Sequence, residues 1–172
     1  MKALLTPTAT ETVRNVRQAL EDWIRPATEG SSASSYATTA IVLCRHVEIR
    51  LEQEGQQLFD EIARLHVLLA RAADVMASHP HGARLVPGLR RVLSEKRDPS
   101  IYPSLSLTSE DVARLRQHVC DIQEIIIPED EAGKALPEVK ALRAEIRHYI
   151  GWQLEQQQKI VESAFRGNGP RR

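Results

Sequence analysis

Apolar residues recur at steps of three and four along most of this chain, and no other feature of the sequence constrains the fold as strongly. In the C-terminal part the stripe consists of Val139, Leu142, Ile146, Ile150, Leu154 and Val161. Because an α-helix has about 3.6 residues per turn, residues at these steps lie on one face of a helix. No alternation typical of strands extends over a useful length. The pattern therefore predicts an all-α protein whose helices each have one apolar face.

Breaks between the stripes set the predicted helix boundaries and the predicted architecture. We predict helices at residues 8–25, 34–54, 56–79, 83–96, 108–127 and 137–166. Pro26 stops the first helix, Pro137 suits the first turn of the last, and Gly55 either kinks one long helix or separates two. We expect an antiparallel helical bundle of four long helices with a short helical insertion. It forms a single domain over residues 1–166, followed by a disordered tail at 167–172.

Composition and charge argue against several classes of protein. The 172 residues include 23 Lys plus Arg and 23 Asp plus Glu, and this balance argues against nucleic-acid binding and membrane-surface binding. The two cysteines, Cys44 and Cys120, are far apart and match no CxxC motif, so buried free thiols in a reducing cytoplasm are expected. No apolar run approaches the roughly 18 residues of a membrane span, and the N-terminal run is too short for a signal peptide. We therefore expect a cytoplasmic protein without membrane contact.

A metal site of the ferritin type is the most specific alternative that the sequence offers. Di-iron bundles use two Glu-x-x-His motifs and two single glutamates. Glu145 and His148 form one such motif, and Glu48 and Glu52 are candidate single glutamates. The chain has no second Glu-x-x-His motif, and the stretch around Glu48 is more typical of a solvated helix face with local Arg–Glu pairs. We therefore predict no bound metal and keep these four residues as the alternative.

Motifs for common catalytic chemistry are also missing from the sequence. It contains no GxSxG nucleophile elbow, no phosphate-binding P-loop and no GxGxxG dinucleotide motif. We therefore predict no catalytic residues, no cofactor and no enzymatic activity of the chain's own.

A local excess of positive charge occurs between residues 84 and 97. The positively charged residues of this segment are Arg84, Arg90, Arg91, Lys96 and Arg97. The nearby acidic residue is Glu95. Such a cluster can hold a phosphate group or an acidic partner surface through charge-assisted hydrogen bonds. The alternative is that the acidic stretch PEDE, residues 128–131, packs nearby and balances this positive charge.

Trp23 and Trp152 also allow two interpretations. Large aromatic side chains can anchor a binding partner, or they can pack between the terminal helices of the bundle.

The first third of the chain carries a further pattern. The pattern begins with Thr-Ala and an acidic residue, followed by a Val-rich helix. A Pro and a Gly come next. An Ala-rich second helix then leads into an Arg/Glu-rich turn. The residues concerned are Thr8, Ala9, Glu11, Val13, Val16, Pro26, Gly30, Ala40, Arg45 and Glu48. This pattern resembles a family of small, uncharacterised helical proteins of bacteria. The chain departs from the family in its greater length and in Thr39, where the family has an asparagine.

The resemblance implies a partner rather than a reaction. Members of that family are often encoded beside a phosphotransferase of the aminoglycoside-kinase type and an acyl-CoA dehydrogenase. At least one looks like an accessory subunit of a kinase that acts on 4-hydroxyacyl-CoA in levulinic-acid breakdown. The family brings no established catalytic residues to carry over to this chain.

The leading hypothesis is therefore a non-catalytic accessory protein that stabilises or activates a partner enzyme, with an acyl-CoA-directed kinase of the phosphotransferase type as the candidate. The predicted partner or anion contacts are Arg84, Arg90, Arg91, Arg97, Trp23 and Trp152. One alternative is a ferritin-like bundle that binds metal. Another is a self-associating bundle, a homo-oligomer that binds a small apolar ligand.

Overall fold

A computed structural model describes residues 7–95 and 103–165, with side chains up to residue 162. Within these ranges the chain forms helices, turns and short connections but no strand, which confirms the all-α prediction. The helices are α1 (Ala9–Ala19), α2 (Arg25–Ala27), α3 (Ala33–Ala77), α4 (Gly82–Ser94), α5 (Leu105–Glu131) and α6 (Pro137–Phe165). A π-helical turn, Leu20–Ile24, joins α1 to the single turn of α2. Arg97 and the predicted tail lie outside the described residues.

Reciprocal capping explains where α1 begins. The Glu11 backbone N–H donates to the Thr8 hydroxyl oxygen (3.2 Å), and the Thr8 backbone N–H donates to a Glu11 carboxylate oxygen (2.7 Å). This capping box satisfies two N–H groups that the start of a helix leaves without intrahelical partners. The hydrogen bonds from Thr8 also lower the pKa of the Glu11 carboxyl group. After α2 the chain turns through Gly30, whose φ of 78° is a conformation that glycine adopts at little cost.

Gly55 lies inside α3, which is a single helix of 45 residues. Of the two alternatives for this residue, the separation of two helices is therefore excluded. A glycine in a helix interior costs about 1 kcal/mol relative to alanine. The helix continues because buried residues pack on both sides of the glycine, Ala37 and Ile41 before it and Leu58 and Leu65 after it, and this packing outweighs one unfavourable propensity.

The fifth helix, α5, extends beyond both ends of the helix predicted at 108–127. It begins after Ser104, whose hydroxyl oxygen caps the first turn by accepting a backbone N–H (3.2 Å). At the other end it passes through Pro128 and continues to Glu131. Proline removes one N–H donor from the helix, but the Pro128 carbonyl accepts from the Ala132 N–H (3.0 Å) and keeps the last turn closed. The predicted break after residue 127 is therefore wrong.

Contacts within the chain divide it into two compact units. Unit 1 comprises Met1–Gly55 and Glu155–Arg172, and unit 2 comprises Gln56–Leu154. The helices α3 and α6 each contribute residues to both units. The single domain over residues 1–166 stays a prediction.

Unit 2 contains the large apolar core. Segments of α3, α4, α5 and α6 contribute to it, and its most deeply buried members include Leu65, Leu69, Met76, Leu89, Ile122, Ile126, Leu142 and Ile146. Aliphatic side chains dominate, as expected for a chain with 4% aromatic residues. Within this unit α3 and α6 run in opposite directions. Glu61 contacts Tyr149, whereas Arg71, later in α3, contacts Glu145, earlier in α6.

In unit 1, α1 and the first part of α3 form a hairpin joined by charged side chains. Two ion pairs link the two helices, Arg14–Glu52 (3.2 Å) and Arg17–Glu48 (2.9 Å), and a third, Glu21–Arg45 (2.7 Å), links the π-helical turn after α1 to α3. As the residue number rises along α1, that of the partner falls along α3, so the two helices are antiparallel. We call these three pairs the charged ladder. The apolar side chains buried in the described part of unit 1 are Ala37, Ile41 and Ile160.

Candidate functional site

Three arginines lie on the exposed side of α4. Arg84, Arg90 and Arg91 are all exposed, and the exposed Pro87 lies among them. The opposite side of the helix is buried and consists of Gly82, Leu85, Val86, Leu89 and Val92. The sequence of α4 contains no acidic residue, so its exposed side carries positive charge only. We call Arg84, Arg90 and Arg91 the arginine face.

The carboxylates of the acidic stretch 128–131 are engaged by His79 and Arg143 rather than by the arginine face. The Glu129 carboxylate lies 2.8 Å from the buried ring of His79, and the next two carboxylates both pair with Arg143. Among residues 7–95 and 103–162, no ion pair involves the arginine face. The positive charge of α4 is therefore not balanced within this part of the chain.

His79 orients the turn that leads into α4. The His81 backbone N–H donates to its Nδ1 (3.2 Å), so Nδ1 is unprotonated. The ring hydrogen therefore lies on Nε2, which donates to Glu129 (2.8 Å). This bond ties the turn between α3 and α4 to the last turn of α5, and it orients the helix that carries the arginine face. The sequence did not reveal the pair because its two residues are 50 positions apart.

Gly82 allows α4 to begin close to the end of α3. A Cβ at this position would lie 1.8 Å from the Met76 carbonyl oxygen, far inside van der Waals contact. The Gly82 N–H also donates to the His79 carbonyl (2.8 Å), which closes the turn. Only a residue without a side chain fits here. The position of the arginine face therefore depends on this glycine.

The two tryptophans have different surroundings. In unit 1, Trp23 is 75% exposed. In unit 2, Trp152 is partly buried against the core, with its ring stacked on Tyr149 at a centroid distance of 6.4 Å. The Arg64 guanidinium lies 4.5 Å from the Trp152 ring centre, a cation–π contact of about 0.5–1 kcal/mol at a partly exposed site. Trp152 therefore packs within the fold, whereas Trp23 presents most of its ring to solvent.

The residues of the metal alternative are not assembled into a ligand set. Three of them form ion pairs, Glu48 with Arg17, Glu52 with Arg14 and Glu145 with Arg71, and His148 is exposed. In the described part of the chain, no group of three or more His, Cys, Asp or Glu side chains is placed to hold a metal ion. The ferritin-like alternative thus receives no support from these residues.

A buried acidic residue that sequence patterns did not single out lies in the core of unit 2. Glu61 is 5% exposed, and its carboxylate accepts hydrogen bonds from the Arg116 guanidinium (2.7 and 2.8 Å) and the Tyr149 hydroxyl (2.5 Å). Burial and the hydrogen bond to Glu61 raise the pKa of Tyr149 well above its ordinary range, so the phenol stays protonated as a donor. Hydrogen bonding to Glu61 likewise raises the pKa of Arg116. This paired cluster fixes the register of three helices in unit 2.

Unit 2 also contains an open cavity of about 390 Å³. Its floor is apolar and its rim is charged, and the lining residues are Phe59, Ile62, His66, Val92, Glu95, Asp111, Arg114 and Leu115. On the rim, Arg114 pairs with Glu95 (2.9 Å) and with Asp111 (3.1 Å). Small-molecule sites commonly measure roughly 300–1,000 Å³ and are mostly apolar with a few polar groups. The cavity therefore has the size and chemistry to hold a small amphipathic molecule.

Every helix in the described ranges carries at least one charged residue. No helix in these ranges is both long enough and apolar enough to cross a membrane. No protein-family model matches the chain, and no curated protein or solved structure matches it significantly.

Proposed function

We propose that this protein is a non-catalytic accessory protein that binds a partner enzyme through the arginine face of α4. The supporting observation is three exposed arginines on one helix, whose predicted acidic counterpart is engaged instead by His79 and Arg143. The helix is anchored by its buried side and by the His79 turn, so it presents the guanidinium groups from a fixed position. Arginine forms bidentate hydrogen bonds with carboxylates. The partner surface is accordingly acidic.

The class of the partner follows from the family resemblance of the first third of the chain. That resemblance implies an acyl-CoA-directed kinase of the phosphotransferase type, and we propose such a kinase as the partner in the cytoplasm. Just beyond the end of α4 in the sequence, Lys96 and Arg97 bring the number of positive charges in the segment to five.

The architecture that we propose is an antiparallel bundle of four long helices in which α4 is the short insertion. Two observations support it, each within one unit. The charged ladder pairs α1 with α3 in opposite directions, and the contacts of Glu61 and Arg71 pair α3 with α6 in opposite directions. Short loops between antiparallel neighbours are typical of such bundles.

Charge sets both the strength and the salt dependence of the proposed contact. An exposed ion pair contributes about 0.2–1 kcal/mol, so three arginines increase affinity moderately and mainly accelerate association. The Debye length falls from about 10 Å at 0.1 M salt to about 3 Å at 1 M. Binding through the arginine face should therefore weaken steeply as salt is added.

A tagged pull-down from the native cytoplasm tests the proposal. The wild type is compared with a triple variant, Arg84→Glu, Arg90→Glu and Arg91→Glu. A control carries the same charge change at three other exposed positions, Arg25→Glu, Lys140→Glu and Arg147→Glu. We expect the wild type and the control to recover the kinase at near-equal amounts, and the arginine-face variant to recover at least tenfold less. Equal recovery of the kinase by all three proteins would contradict binding through the arginine face. Full kinase activity without this protein would contradict its role as an accessory protein.

The cavity of unit 2 favours a second candidate function, the binding of a small amphipathic ligand. Titration with an apolar fluorescent dye tests it, because such dyes brighten when an apolar cavity takes them up. Ile62→Trp on the cavity floor should abolish the signal, whereas Val67→Trp, at a position 74% exposed on the same helix, should leave it unchanged. A wild-type protein that gives no signal would remove this candidate.

A further inference from the structure

The cavity of unit 2 lies where α4 ends. Gly82, at the start of α4, closely approaches Met76 near the end of α3. Ten residues further along α4, Val92 lines the cavity together with His66, which lies ten residues earlier in α3 than Met76. The two helices are therefore antiparallel, and α4 reaches back along α3 to the level of His66. Because α4 ends at Ser94, the stretch of α3 that precedes His66 has no part of α4 beside it.

Three helices supply the walls of this cavity. Phe59, Ile62 and His66 recur at steps of three and four along α3, so they lie on one side of that helix. The other walls come from the end of α4 and from α5, and they consist of Val92, Glu95, Asp111, Arg114 and Leu115. Val92 and Leu115 are buried, whereas Phe59 is 44% exposed. The cavity therefore extends from the apolar core to the surface.

The charged side chains at the rim are already paired with one another. The Arg114 guanidinium lies 2.9 Å from the Glu95 carboxylate and 3.1 Å from the Asp111 carboxylate. A charged ligand group would lose hydration on entering the cavity, and it would have to compete with one of these ion pairs for a partner. An uncharged group loses much less hydration. The rim therefore favours an uncharged ligand.

His66 is a polar lining residue that remains available to a ligand. It is half-buried, and no hydrogen bond or ion pair in the part of the chain that the structure describes involves its ring. A neutral imidazole ring has one nitrogen that donates a hydrogen bond and one that accepts. A ligand hydroxyl group can also donate and accept, so it pairs with the ring in either tautomer. The ring thus offers a hydrogen-bonding position beside the apolar floor.

We propose that the cavity binds an uncharged, mainly apolar alcohol or phenol whose hydroxyl group hydrogen-bonds to His66. This inference rests on the second candidate function, ligand binding in the cavity, and adds the chemical class of the ligand and its polar anchor. The apolar body of the ligand lies against Phe59, Ile62 and Leu115. A volume of about 390 Å³ is near the lower end of the range for small-molecule sites, so the ligand is compact. No residue of the arginine face is among the described lining residues, so the two sites can be tested separately.

Calorimetric titration of the full chain with three probes tests the proposal. The probes are para-propylphenol, propylbenzene and para-propylbenzoate, which share an apolar body and differ in the group on the ring. We expect the phenol to bind at least tenfold more tightly than the benzoate anion. His66→Leu should weaken the binding of the phenol about fivefold, the usual effect of one hydrogen bond, and should leave the binding of propylbenzene unchanged. His148→Leu is the matched control, because His148 is an exposed histidine of the same unit.

The outcomes separate this inference from the function on which it rests. Helix content and the melting transition establish that each variant is folded, and His66→Phe replaces His66→Leu if the leucine variant is not. A wild type that binds none of the probes would overturn ligand binding in the cavity and this inference together. Phenol binding that Ile62→Trp abolishes but His66→Leu leaves unchanged would overturn the inference alone. Binding of the benzoate as tight as that of the phenol would also overturn it, since the ligand would then not need to be uncharged.

Discussion

The Tyr149 hydroxyl donates a 2.5 Å hydrogen bond to the Glu61 carboxylate in the core of unit 2. The carboxylate is almost fully buried, so it depends on this donor and on the Arg116 guanidinium for its hydrogen bonds. Removing one partner from a buried charge pair is costly, because the remaining group keeps the cost of its lost hydration.

Substitutions in this cluster should therefore destabilise the protein in a defined order. We expect Glu61→Ala to lower the free energy of unfolding by about 3 kcal/mol, since Arg116 and Tyr149 lose their acceptor. Tyr149→Phe should cost about 1–2 kcal/mol, because one buried hydrogen bond is lost while Arg116 still pairs with the carboxylate. Urea unfolding measures both. Glu155→Ala, at an exposed carboxylate, should change stability by less than about 0.5 kcal/mol. A smaller loss for Glu61→Ala than for Tyr149→Phe would show that the carboxylate is not the centre of the cluster.

Two glycines in helices should respond to alanine in opposite ways. Gly82→Ala places a Cβ 1.8 Å from the Met76 carbonyl oxygen, so backbone must shift. We expect a loss of several kcal/mol, beyond the roughly 1–3 kcal/mol typical of overpacking. At Gly151 a Cβ would meet no described atom within 4 Å, so Gly151→Ala should stabilise α6 by about 0.5–1 kcal/mol through helix propensity. Thermal unfolding compares the two variants. An unchanged melting temperature for Gly82→Ala would contradict the close approach of α4 to α3.

The charged ladder should make the hairpin of unit 1 sensitive to acid. Burial acts to raise the pKa of Glu21, but the hydrogen bonds and charges of Arg45 and Arg17 outweigh it, and the pKa lies below its ordinary value of 4.5. A lowered folded-state pKa stabilises the fold above pH 4.5, and this contribution is lost as the pH falls through the lower folded-state value. We expect amide exchange in α1 to accelerate within that acid window.

The matched variant for this acid response is Glu21→Gln, which cannot titrate. Its α1 amides should exchange faster than those of the wild type at neutral pH and change less across the acid window. Glu124→Gln, at an exposed position outside unit 1, should keep the wild-type profile. An identical acid response in Glu21→Gln and the wild type would show that Glu21 does not control the hairpin.

The His79–Glu129 bond should be needed for the stability of the α3–α4 turn. His79→Ala removes a buried ring with two hydrogen bonds, so we expect a loss of about 1–3 kcal/mol. The control His148→Ala changes an exposed ring and should have little effect. Urea unfolding gives the free energies, and amide exchange in α4 shows whether the loss is local. Equal stability of the two variants would contradict the anchoring role of His79.

Helix positions were predictable from the sequence wherever the controlling signal was local. The last helix begins at Pro137 as predicted, because a proline in the first turn and the stripe that follows it lie within a few residues of each other. Local signals failed at Gly55 and at Pro128, where the helix continues. A helix-breaking residue such as glycine or proline lowers helix stability by only a few kcal/mol. Packing elsewhere along the same helix outweighs this loss.

The candidate sites were predictable to a smaller extent. The arginine excess of α4 was visible in the sequence, because it is a matter of local composition. Glu61 was not recognised, although it occupies the apolar stripe between Leu58 and Leu65. A lone glutamate at a core position is a usable signal of a buried ion pair, but the cation that pairs with it, Arg116, is 55 residues away.

By itself the sequence determined the all-α class, most helix positions and the positive charge of α4, since each of these depends on neighbours within a few turns. Only the tertiary structure decided that the acidic stretch 128–131 meets His79 and Arg143 rather than the arginine face. It also decided that one apolar stripe of α3 is covered in unit 2 and exposed in unit 1. A helical period shows that one side of a helix is apolar. Whether that side is buried depends on which distant segments pack against it, and no local pattern carries that information.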